Sequence, residues 1–383
     1  MTDKMQVNLR QVAMEILYEV QKNNGLLHVV LSDALKKYQY LDKNERSFIS
    51  RLVPGTEERK IELDYIIDSF SKTPVKKQKD VIRIILEMSV YQLKYMDSVP
   101  ASAVCNEAVK LAVKKNFGTL RGFVNGVLRN IARNIDNIEY PDKSTNTDKY
   151  LSVKYSVPEE LAGYFLKKFG DNETEEMFEA FNKDKSTYIR CNTKKTDIAG
   201  LTAALEAEGV TVTNEGIDKR IDYALKISGY DYLGGLKSFR DGLFFVQDIS
   251  SMLASQGGFI KRDAYVIDVC AAPGGKSINA ALMADIGHVS SRDISGRKVS
   301  LIKENAERLG IDNITYKVWD AVKKDEESVE KADVLICDLP CSGLGIIGRK
   351  PDIKYNVTYE KIKELALLQR KILSTVWEYV KKD

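Results

Sequence analysis

The chain has 383 residues, of which 30% are charged and 44% hydrophobic, and its formal net charge is +3. This length exceeds one typical domain, so we expect two or three domains, each with its own core. The composition fits a soluble globular protein. Because the charge is only mildly basic, any argument for a nucleic-acid partner has to rest on local clusters of basic residues.

Several classes of protein are disfavoured by the sequence. No apolar run approaches the ~18 residues of a transmembrane helix, and the polar start does not resemble a secretory signal. The five cysteines are widely scattered, which does not suggest a disulfide framework or a metal site. We therefore expect a cytoplasmic monomer that spans no membrane and binds no metal.

The N-terminal third is predicted to be helical from about Met5 to Arg133. Apolar residues recur at the i, i+3, i+4 and i+7 spacing of amphipathic helices, first over Leu9–Val20 and then in further segments. Breaks at Gly25, Pro54-Gly55, Thr73-Pro74 and Pro100 separate these segments. The pattern predicts a compact helical bundle over residues 1–137.

One part of this bundle is strongly basic. The stretch from Val109 to Ile135 contains no acidic residue. A solvated basic face is one interpretation. We favour a surface that contacts phosphates, because plain surface helices usually carry acids that neutralise their bases. The basic residues of this stretch are Lys110, Lys114, Lys115, Arg121, Arg129 and Arg133.

The middle of the chain changes character. Residues 138–149 are polar and turn-rich, which is typical of a linker. Residues 150–240 follow an α+β pattern that begins with helical segments up to Phe181. Strands are then predicted over Thr187–Asn192, Ile221–Ile227 and Leu243–Val246, with a helix over Leu201–Glu208. Residues 241–383 form the last predicted domain.

The most informative stretch of this last domain is Val266–Lys276. It begins as a short apolar run, which predicts a buried parallel strand. The strand breaks at Pro273-Gly274-Gly275, and helix-forming residues resume from Lys276. A strand, a glycine turn and a helix in this order build the ligand site of a doubly wound sheet, because the helix start offers free N–H groups. An ordinary tight turn is the alternative.

Three later strand candidates each run into an acidic residue. They are His288–Ile294 with Asp293, Ile314–Trp319 followed by Asp320, and a third that ends at Asp338. A single aspartate of this kind is usually a helix cap. Several at successive strand ends favour a nucleoside-type cofactor site, because the carboxyl ends of parallel strands converge on one crevice.

Two motifs carry a family resemblance. Cys270-Ala271-Ala272-Pro273-Gly274-Gly275-Lys276, with Asp338-Leu339-Pro340-Cys341-Ser342-Gly343, resembles the S-adenosylmethionine-dependent RNA 5-cytosine methyltransferases. The segment Arg349–Lys354 resembles one that follows the second motif in that family. Within it, the chain is most similar to the RsmB (Sun) type, which methylates small-subunit ribosomal RNA. The stretch Asn116–Arg129 also resembles the NusB-like RNA-binding domains found at the N-terminus of that type.

The resemblance implies a multidomain protein: an all-α NusB-like bundle, a small α+β RRM-like module and a Rossmann-like α/β methyltransferase domain with an incomplete sheet. It implies that Asp293 holds the ribose hydroxyls of S-adenosylmethionine, that Asp320 lies by the adenine and that Asp338 faces the methyl donor and the target base. It also implies RNA contacts at Arg190 and Arg349, although a structural role for Arg190 is equally open. The loop around the cofactor is Cys270, Ala271, Ala272, Pro273, Gly274, Gly275 and Lys276.

The family's chemistry needs two cysteines. A thiolate adds to carbon 6 of cytosine, carbon 5 takes the methyl group, and a base then removes the carbon 5 proton. By resemblance, Cys341 belongs to the later elimination that releases the product. The attacking cysteine lies in a Thr-Cys motif, which none of the five cysteines matches. We therefore expect the nucleophile to lie beyond residue 383 and these 383 residues to be inactive by themselves.

Three functions remain in consideration. The first is methylation of carbon 5 of a cytosine in 16S ribosomal RNA. The second is the same reaction on transfer RNA or another RNA. The third is a noncatalytic RNA-binding protein that keeps the cofactor pocket as a relic. The NusB-like domain favours the first over the second.

Overall fold

The computed structural model describes residues 7–23, 25–183 and 186–382. Met5, where the first helix was predicted to start, lies outside these ranges. The chain divides into two units. The first unit comprises residues 1–184 and 343–359, and the second comprises residues 185–342 and 360–383.

The first unit is all helical, as predicted for residues 1–137, and the helices continue well beyond that boundary. Val12, Ile16 and Leu17 of the first helix are buried with apolar residues of its neighbours in one continuous core. Its α-helices are α1 (Leu9–Lys22), α2 (Leu27–Lys37), α3 (Lys43–Glu58), α4 (Lys60–Phe70), α5 (Asp80–Tyr95), α6 (Ala101–Lys114), α7 (Arg121–Asn134), α8 (Thr147–Tyr155), α9 (Glu159–Phe169) and α10 (Asp171–Asn182).

Helix α3 corrects one sequence expectation. It begins with a capping box between Asp42 and Glu45 and runs through Pro54-Gly55, where a break was predicted. Proline inside a helix costs about 3 kcal/mol. Here Ile49, Leu52 and Val53 are fully buried, and burial of each such side chain contributes about 1.5–3 kcal/mol. Packing of this face therefore outweighs the local preference for a break.

The segment after the second motif belongs to the helical unit. It contains the short helix α16 (Ile353–Asn356), and its Lys354 is only 2% exposed. The Lys354 Nζ donates to the carbonyl of Glu58 at 2.6 Å, and the Tyr355 hydroxyl donates to the carbonyl of Glu57 at 2.9 Å. The Asp352 carboxylate accepts the N–H of Leu27 at 3.3 Å. This segment is thus bound to the C-terminal end of α3 and the start of α2.

The second unit begins with a small antiparallel sheet. Its strands are β1 (Thr187–Cys191), β2 (Thr211–Thr213), β3 (Ala224–Ser228) and β4 (Phe244–Val246), in the order β2-β3-β1-β4. One face is covered by α11 (Ile198–Ala207), whose Leu201 and Leu205 pack with Ile189 and Cys191. The predicted α+β module ended at residue 240, before β4. In the structure β4 belongs to this sheet, because Arg190 of β1 is paired with Phe245 of β4.

The second sheet is parallel, as predicted. Its strands are β5 (Tyr265–Asp268), β6 (His288–Asp293), β7 (Ile314–Val318) and β8 (Val334–Ile336), in the order β7-β6-β5-β8. From β5 the chain adds β6 and then β7 on one side, and it then returns to add β8 on the other side of β5. The order of strand addition therefore switches sides between β5 and β8. The short helix α12 (Lys237–Arg240) packs with the antiparallel sheet. The later helices of this unit are α13 (Ile249–Gly257), α14 (Gly275–Met283), α15 (Gly296–Leu309) and α17 (Tyr359–Val376).

Beyond α17 the chain returns to the edge of this sheet. The N–H of Ala332 donates to the carbonyl of Tyr379 at 2.8 Å, and the N–H of Lys381 donates to the carbonyl of Ala332 at 2.9 Å. These bonds form an isolated parallel bridge between Ala332 and Val380. Among the residues that the structure describes, no helix is long and apolar enough to cross a membrane, and no cluster of His, Cys, Asp and Glu could hold a metal ion.

We predict that Gly55→Ala destabilises the first unit by about 1–3 kcal/mol, the usual cost of overpacking a core. A Cβ at this position would lie 2.1 Å from the Tyr91 ring, which is itself 9% exposed. Urea unfolding followed by circular dichroism measures the change. The matched control is Gly126→Ala in α7, where nothing lies within 4 Å; it should stabilise by about 0.4–1 kcal/mol. Equal effects of the two substitutions would refute the packing argument.

Candidate active site and cofactor pocket

The loop from β5 to α14 is built by backbone contacts. The N–H of Ala271 donates to the carbonyl of Arg292 at 2.8 Å, and the N–H of Gly274 donates to the carbonyl of Ala271 at 2.7 Å. Gly274 has a φ of +104°, which L side chains rarely adopt. The chain can therefore turn sharply at Gly274 and start α14 at the next residue.

The second glycine of the pair serves a different purpose. A Cβ on Gly275 would lie 3.2 Å from the Phe245 ring and 3.7 Å from the Gln247 amide. Phe245 belongs to β4, and Gln247 follows that strand. The first turn of α14 therefore lies close against the antiparallel sheet, and glycine avoids a tight contact there. Gly274 permits the turn and Gly275 permits this contact.

Asp293 lies at the end of β6, directly beside the loop. Its side chain is 4% exposed, and its carboxylate accepts the N–H of Ala272 at 3.3 Å. The Lys298 ammonium lies 3.5 Å from the other carboxylate oxygen. The N–H of Trp319 donates to the Asp293 carbonyl at 3.0 Å, so the chain that leads to Asp320 runs along the end of β6. The ends of β6 and β7, which lead to Asp293 and Asp320, thus lie at the same edge of the sheet.

Asp338 meets the loop from the other side. The Lys276 ammonium donates to its carboxylate at 2.6 Å, and the Asp338 side chain remains 54% exposed. This contact joins the two sequence motifs, which are 62 residues apart. The exposed carboxylate next to a lysine at the start of α14 is available to a ligand in the same crevice.

One acidic residue of this edge was not among the predicted site residues. Asp268 ends β5 and is fully buried. Its carboxylate accepts the Ser277 hydroxyl at 2.6 Å, and Ser277 lies 2.8 Å from the Ser291 hydroxyl. Burial raises the pKa of Asp268 to about 7, although the Ser277 hydroxyl favours the charged form. Its position at a strand end, two residues before Cys270, was the available signal in the sequence.

The five cysteines differ in their suitability as nucleophiles. Burial, with Asp293 nearby, raises the pKa of Cys270 to about 12, and burial raises the pKa of Cys337 and that of Cys191 to about 11. Burial also raises the pKa of Cys105. These four are therefore thiols at neutral pH, and a thiol is a weak nucleophile. Cys341, in the second motif, is exposed.

The predicted RNA contacts fall into two groups. Arg349 is exposed, as are Lys110, Lys114 and Arg121. Arg190 is only 1% exposed, and its guanidinium donates to the Gln247 side chain and to the carbonyl of Gly275. A buried side chain cannot reach a phosphate, so the expected RNA contact at Arg190 is corrected in favour of its structural alternative.

The basic residues of the helical unit border an open groove between α6 and α7. The groove has a volume of about 500 Å³. Two of the predicted contacts carry acidic partners: Lys110 lies 2.8 Å from Glu107, and Lys115 lies 2.7 Å from Glu15. These acids lie outside the stretch that was free of acids in the sequence. The groove is lined by Asn106, Val109, Lys110, Arg121, Gly122, Asn125 and Arg129.

The cofactor edge suits an adenosine bound to an amino-acid tail. Asp293 and Asp320 offer acceptors at neighbouring strand ends, as ribose hydroxyls and an adenine amine require. The start of α14 offers N–H donors, and the positive φ of Gly274 opens the backbone to a ligand. A Rossmann-like parallel sheet with these groups defines the class of S-adenosylmethionine-dependent methyltransferases.

Comparison with known proteins gives the family. Residues 7–133 match the NusB family, and residues 260–383 match the family described as "16S rRNA methyltransferase RsmB/F". The "Probable ribosomal RNA small subunit methyltransferase B" of Bacillus subtilis is 35% identical over 98% of this chain and 83% of that protein. Its counterpart in Synechocystis is 32% identical over 98% and 83%. The match to the crystal structure of PH0851 covers 99% of this chain and 85% of the PH0851 chain, with a TM-score of 0.78 and 25% identity.

The chain therefore belongs to the family of ribosomal RNA small subunit methyltransferases B. It is an S-adenosylmethionine-dependent enzyme that methylates carbon 5 of cytosine in 16S ribosomal RNA. The predicted NusB-like helical domain and the predicted Rossmann-like domain are confirmed.

We predict that Asp293→Ala weakens S-adenosylmethionine binding by about 1–3 kcal/mol, because hydrogen bonds between the ribose hydroxyls and a charged group are lost. Isothermal titration calorimetry measures the dissociation constant. Asp312→Ala is the control, since Asp312 is an aspartate of the same unit whose side chain is 82% exposed and pairs with Lys194. An unchanged dissociation constant for Asp293→Ala would remove Asp293 from the cofactor site.

Proposed function

We propose specific roles for the residues around the cofactor crevice. The loop Cys270–Lys276 holds the methionine and ribose portions of S-adenosylmethionine, Asp293 holds the ribose hydroxyls, and Asp320 lies by the adenine. Asp338 faces the methyl donor and the target base. The contact between Lys276 and Asp338, at 2.6 Å, supports this arrangement most directly, because it joins the cofactor loop to the motif that carries Cys341.

The cofactor supplies an electrophilic methyl group, and the chain must supply the rest of the chemistry. Carbon 5 of cytosine becomes nucleophilic only after a thiolate has added to carbon 6. Once carbon 5 has taken the methyl group, its proton must leave to a base, and the thiolate must leave from carbon 6. We assign Cys341 to this release, because it is exposed and lies three residues after Asp338.

The target cytosine has to enter this crevice as an unstacked base. Inside a helix, the neighbouring stacked bases prevent a thiolate from reaching carbon 6 and a methyl donor from reaching carbon 5 of a paired cytosine. We therefore propose that the enzyme acts on a cytosine in a single-stranded or loop segment of ribosomal RNA, or on one that is flipped out.

We predict that the 383-residue chain binds S-adenosylmethionine and RNA but transfers no methyl group by itself. None of its five cysteines follows a threonine, and four have pKa values raised by burial. A tritiated-methyl transfer assay with a 16S ribosomal RNA fragment measures turnover, and calorimetry confirms that the cofactor binds. Cys341→Ser is the matched variant. Turnover that Cys341→Ser abolishes would make Cys341 the nucleophile and would contradict the role proposed for it.

We propose that the groove between α6 and α7 contacts RNA phosphates. Lys110 and Arg121 lie on its two sides, and Arg129 extends the basic lining by two helical turns along α7. Lys110 and Lys115 would exchange their ion pairs with Glu107 and Glu15 for phosphate contacts. Exposed ion pairs of this kind contribute only about 0–1 kcal/mol, so the exchange costs little.

We predict that neutralising Lys110, Lys114, Lys115 and Arg121 to glutamine weakens RNA binding and flattens its dependence on salt. Each phosphate contact that is lost should reduce the slope of log K against log salt by about 0.7–0.9. Fluorescence anisotropy at several salt concentrations measures this slope. The control neutralises four other exposed lysines of the same unit. If both variants keep the original slope, the groove is merely solvated. The control residues are Lys36, Lys37, Lys167 and Lys168.

Two further properties follow from one chain that carries both an RNA-binding unit and an active site. A single copy has the parts needed to bind the substrate and the cofactor, so we propose that it acts as a monomer. Its substrate is the RNA of the small ribosomal subunit, so we propose the cytoplasm as its location. Competition between a transfer RNA and the 16S ribosomal RNA fragment, measured by fluorescence anisotropy, tests the alternative RNA target: tighter binding of the transfer RNA would favour it.

A further inference from the structure

Arg190 lies in β1, and Asn192 follows directly after that strand. The Asn192 amide donates to the carbonyls of Gly242 and Leu309 at 2.8 and 2.7 Å. The Arg190 guanidinium donates to the carbonyl of Gly275 at 2.8 Å. The two residues thus connect the antiparallel sheet to the start of α14 and the end of α15.

The environment of Arg190 is unusual for a buried charge. Its Nη1 also donates to the Gln247 side chain at 2.6 Å, and its guanidinium lies over the Phe245 ring at 5.5 Å. Among the described residues, no carboxylate forms an ion pair with it, and its Nε and Nη2 atoms have no hydrogen-bond partner. Burial lowers the pKa of Arg190 to about 9, which still leaves the guanidinium protonated at neutral pH.

A second buried arginine of the same unit shows the contrast. Arg292 in β6 is 3% exposed and lies 3.0 Å from the Asp325 carboxylate. Its other nitrogens donate to the hydroxyls of Ser290 and Ser328 at 3.1 and 2.7 Å. Arg292 is therefore neutralised and fully bonded, whereas Arg190 is neither. A buried cation without a counter-ion costs several kcal/mol, so stability alone does not account for Arg190.

The contacts of Arg190 indicate its role. Gly275 is the first residue of α14, and the loop Cys270–Gly274 leads directly into it. A Cβ at Gly275 would lie 3.2 Å from Phe245, which is a tight contact. The first turn of α14 therefore has no side chain of its own at this point to hold it against the antiparallel sheet. The bond from Arg190 to the Gly275 carbonyl supplies that attachment.

We propose that Arg190 is a positioning residue for methyl transfer: its guanidinium fixes the first turn of α14 and thereby the conformation of the cofactor loop. This inference rests on the proposed role of Cys270–Lys276 in binding S-adenosylmethionine. It replaces the expectation that Arg190 touches RNA. Gln247 shares the task, because its side-chain oxygen orients the same Nη1 atom at 2.6 Å.

The test is Arg190→Met, which keeps an apolar side chain of similar length and removes the charge and both bonds. We expect the dissociation constant for S-adenosylmethionine to rise about tenfold, equivalent to about 1.4 kcal/mol, with the RNA dissociation constant unchanged. We expect the melting temperature to stay the same or to rise, because replacement of an unneutralised buried charge by an apolar group is often neutral or stabilising. Weaker cofactor binding without lower stability is a result that a merely structural arginine would not give.

The matched control is Arg308→Met. Arg308 lies in α15, donates to the carbonyls of Phe239 and Phe244 at 2.8 and 3.2 Å, and lies 4.0 Å over the Phe239 ring. Like Arg190 it joins the antiparallel sheet to a helix of the same unit, but these contacts are not with the cofactor loop. We expect Arg308→Met to leave the cofactor dissociation constant unchanged.

Two more variants keep the proposal decidable. Arg190→Lys retains the charge, but its ammonium stops short of the position of Nη1 and would hold the same two acceptors more weakly, so it should bind the cofactor with intermediate affinity even if Arg190→Met does not fold. Wild-type affinity in Arg190→Lys or Arg190→Met, measured well below the melting temperature, would overturn the proposal. Asp293→Ala separates the two levels of the argument: if it weakens cofactor binding and the Arg190 variants do not, the cofactor site stands and only the positioning role fails.

Discussion

The turn between β5 and α14 is the constraint on which the active site depends. Two adjacent glycines satisfy two separate demands there. Gly274 adopts a φ of +104°, which ends the strand sharply, and Gly275 lets α14 approach Phe245 without the tight contact that a Cβ would make. The turn thus fixes both the direction of the backbone N–H groups and the distance between the helix and the antiparallel sheet. The rest of the crevice is assembled around this geometry.

The acidic residues around the crevice differ because their surroundings differ. Asp268 is fully buried and bonded to Ser277, and burial raises its pKa to about 7. Asp293 is almost fully buried, but its carboxylate accepts a backbone N–H and lies near the ammonium group of a lysine. Asp338 is half exposed and paired with Lys276. One edge of a parallel sheet therefore carries three carboxylates that differ in burial and in bonding partners.

Buried polar contacts also decide which parts of the chain belong together. Lys354 and Tyr355 follow the second motif in sequence, yet they donate to the last carbonyls of α3 in the helical unit. Asn192 donates in the same way to the carbonyl of Leu309, the last residue of α15 in the other unit. Carbonyl groups at helix ends lack partners within the helix, and buried cations and amides satisfy them.

The sequence by itself determined the order of the elements and most of the cofactor edge, because periodicity, glycine turns and acids at strand ends are local signals. Only the tertiary structure decided the rest. Pro54 lies within α3 because burial outweighs its local preference, and β4 joins the antiparallel sheet through long-range pairing. The sequence left Arg190 open between an RNA contact and a structural role, since a strand pattern does not reveal that both faces of β1 are covered. Its bond to Gly275, 85 residues away, exists only in the folded chain.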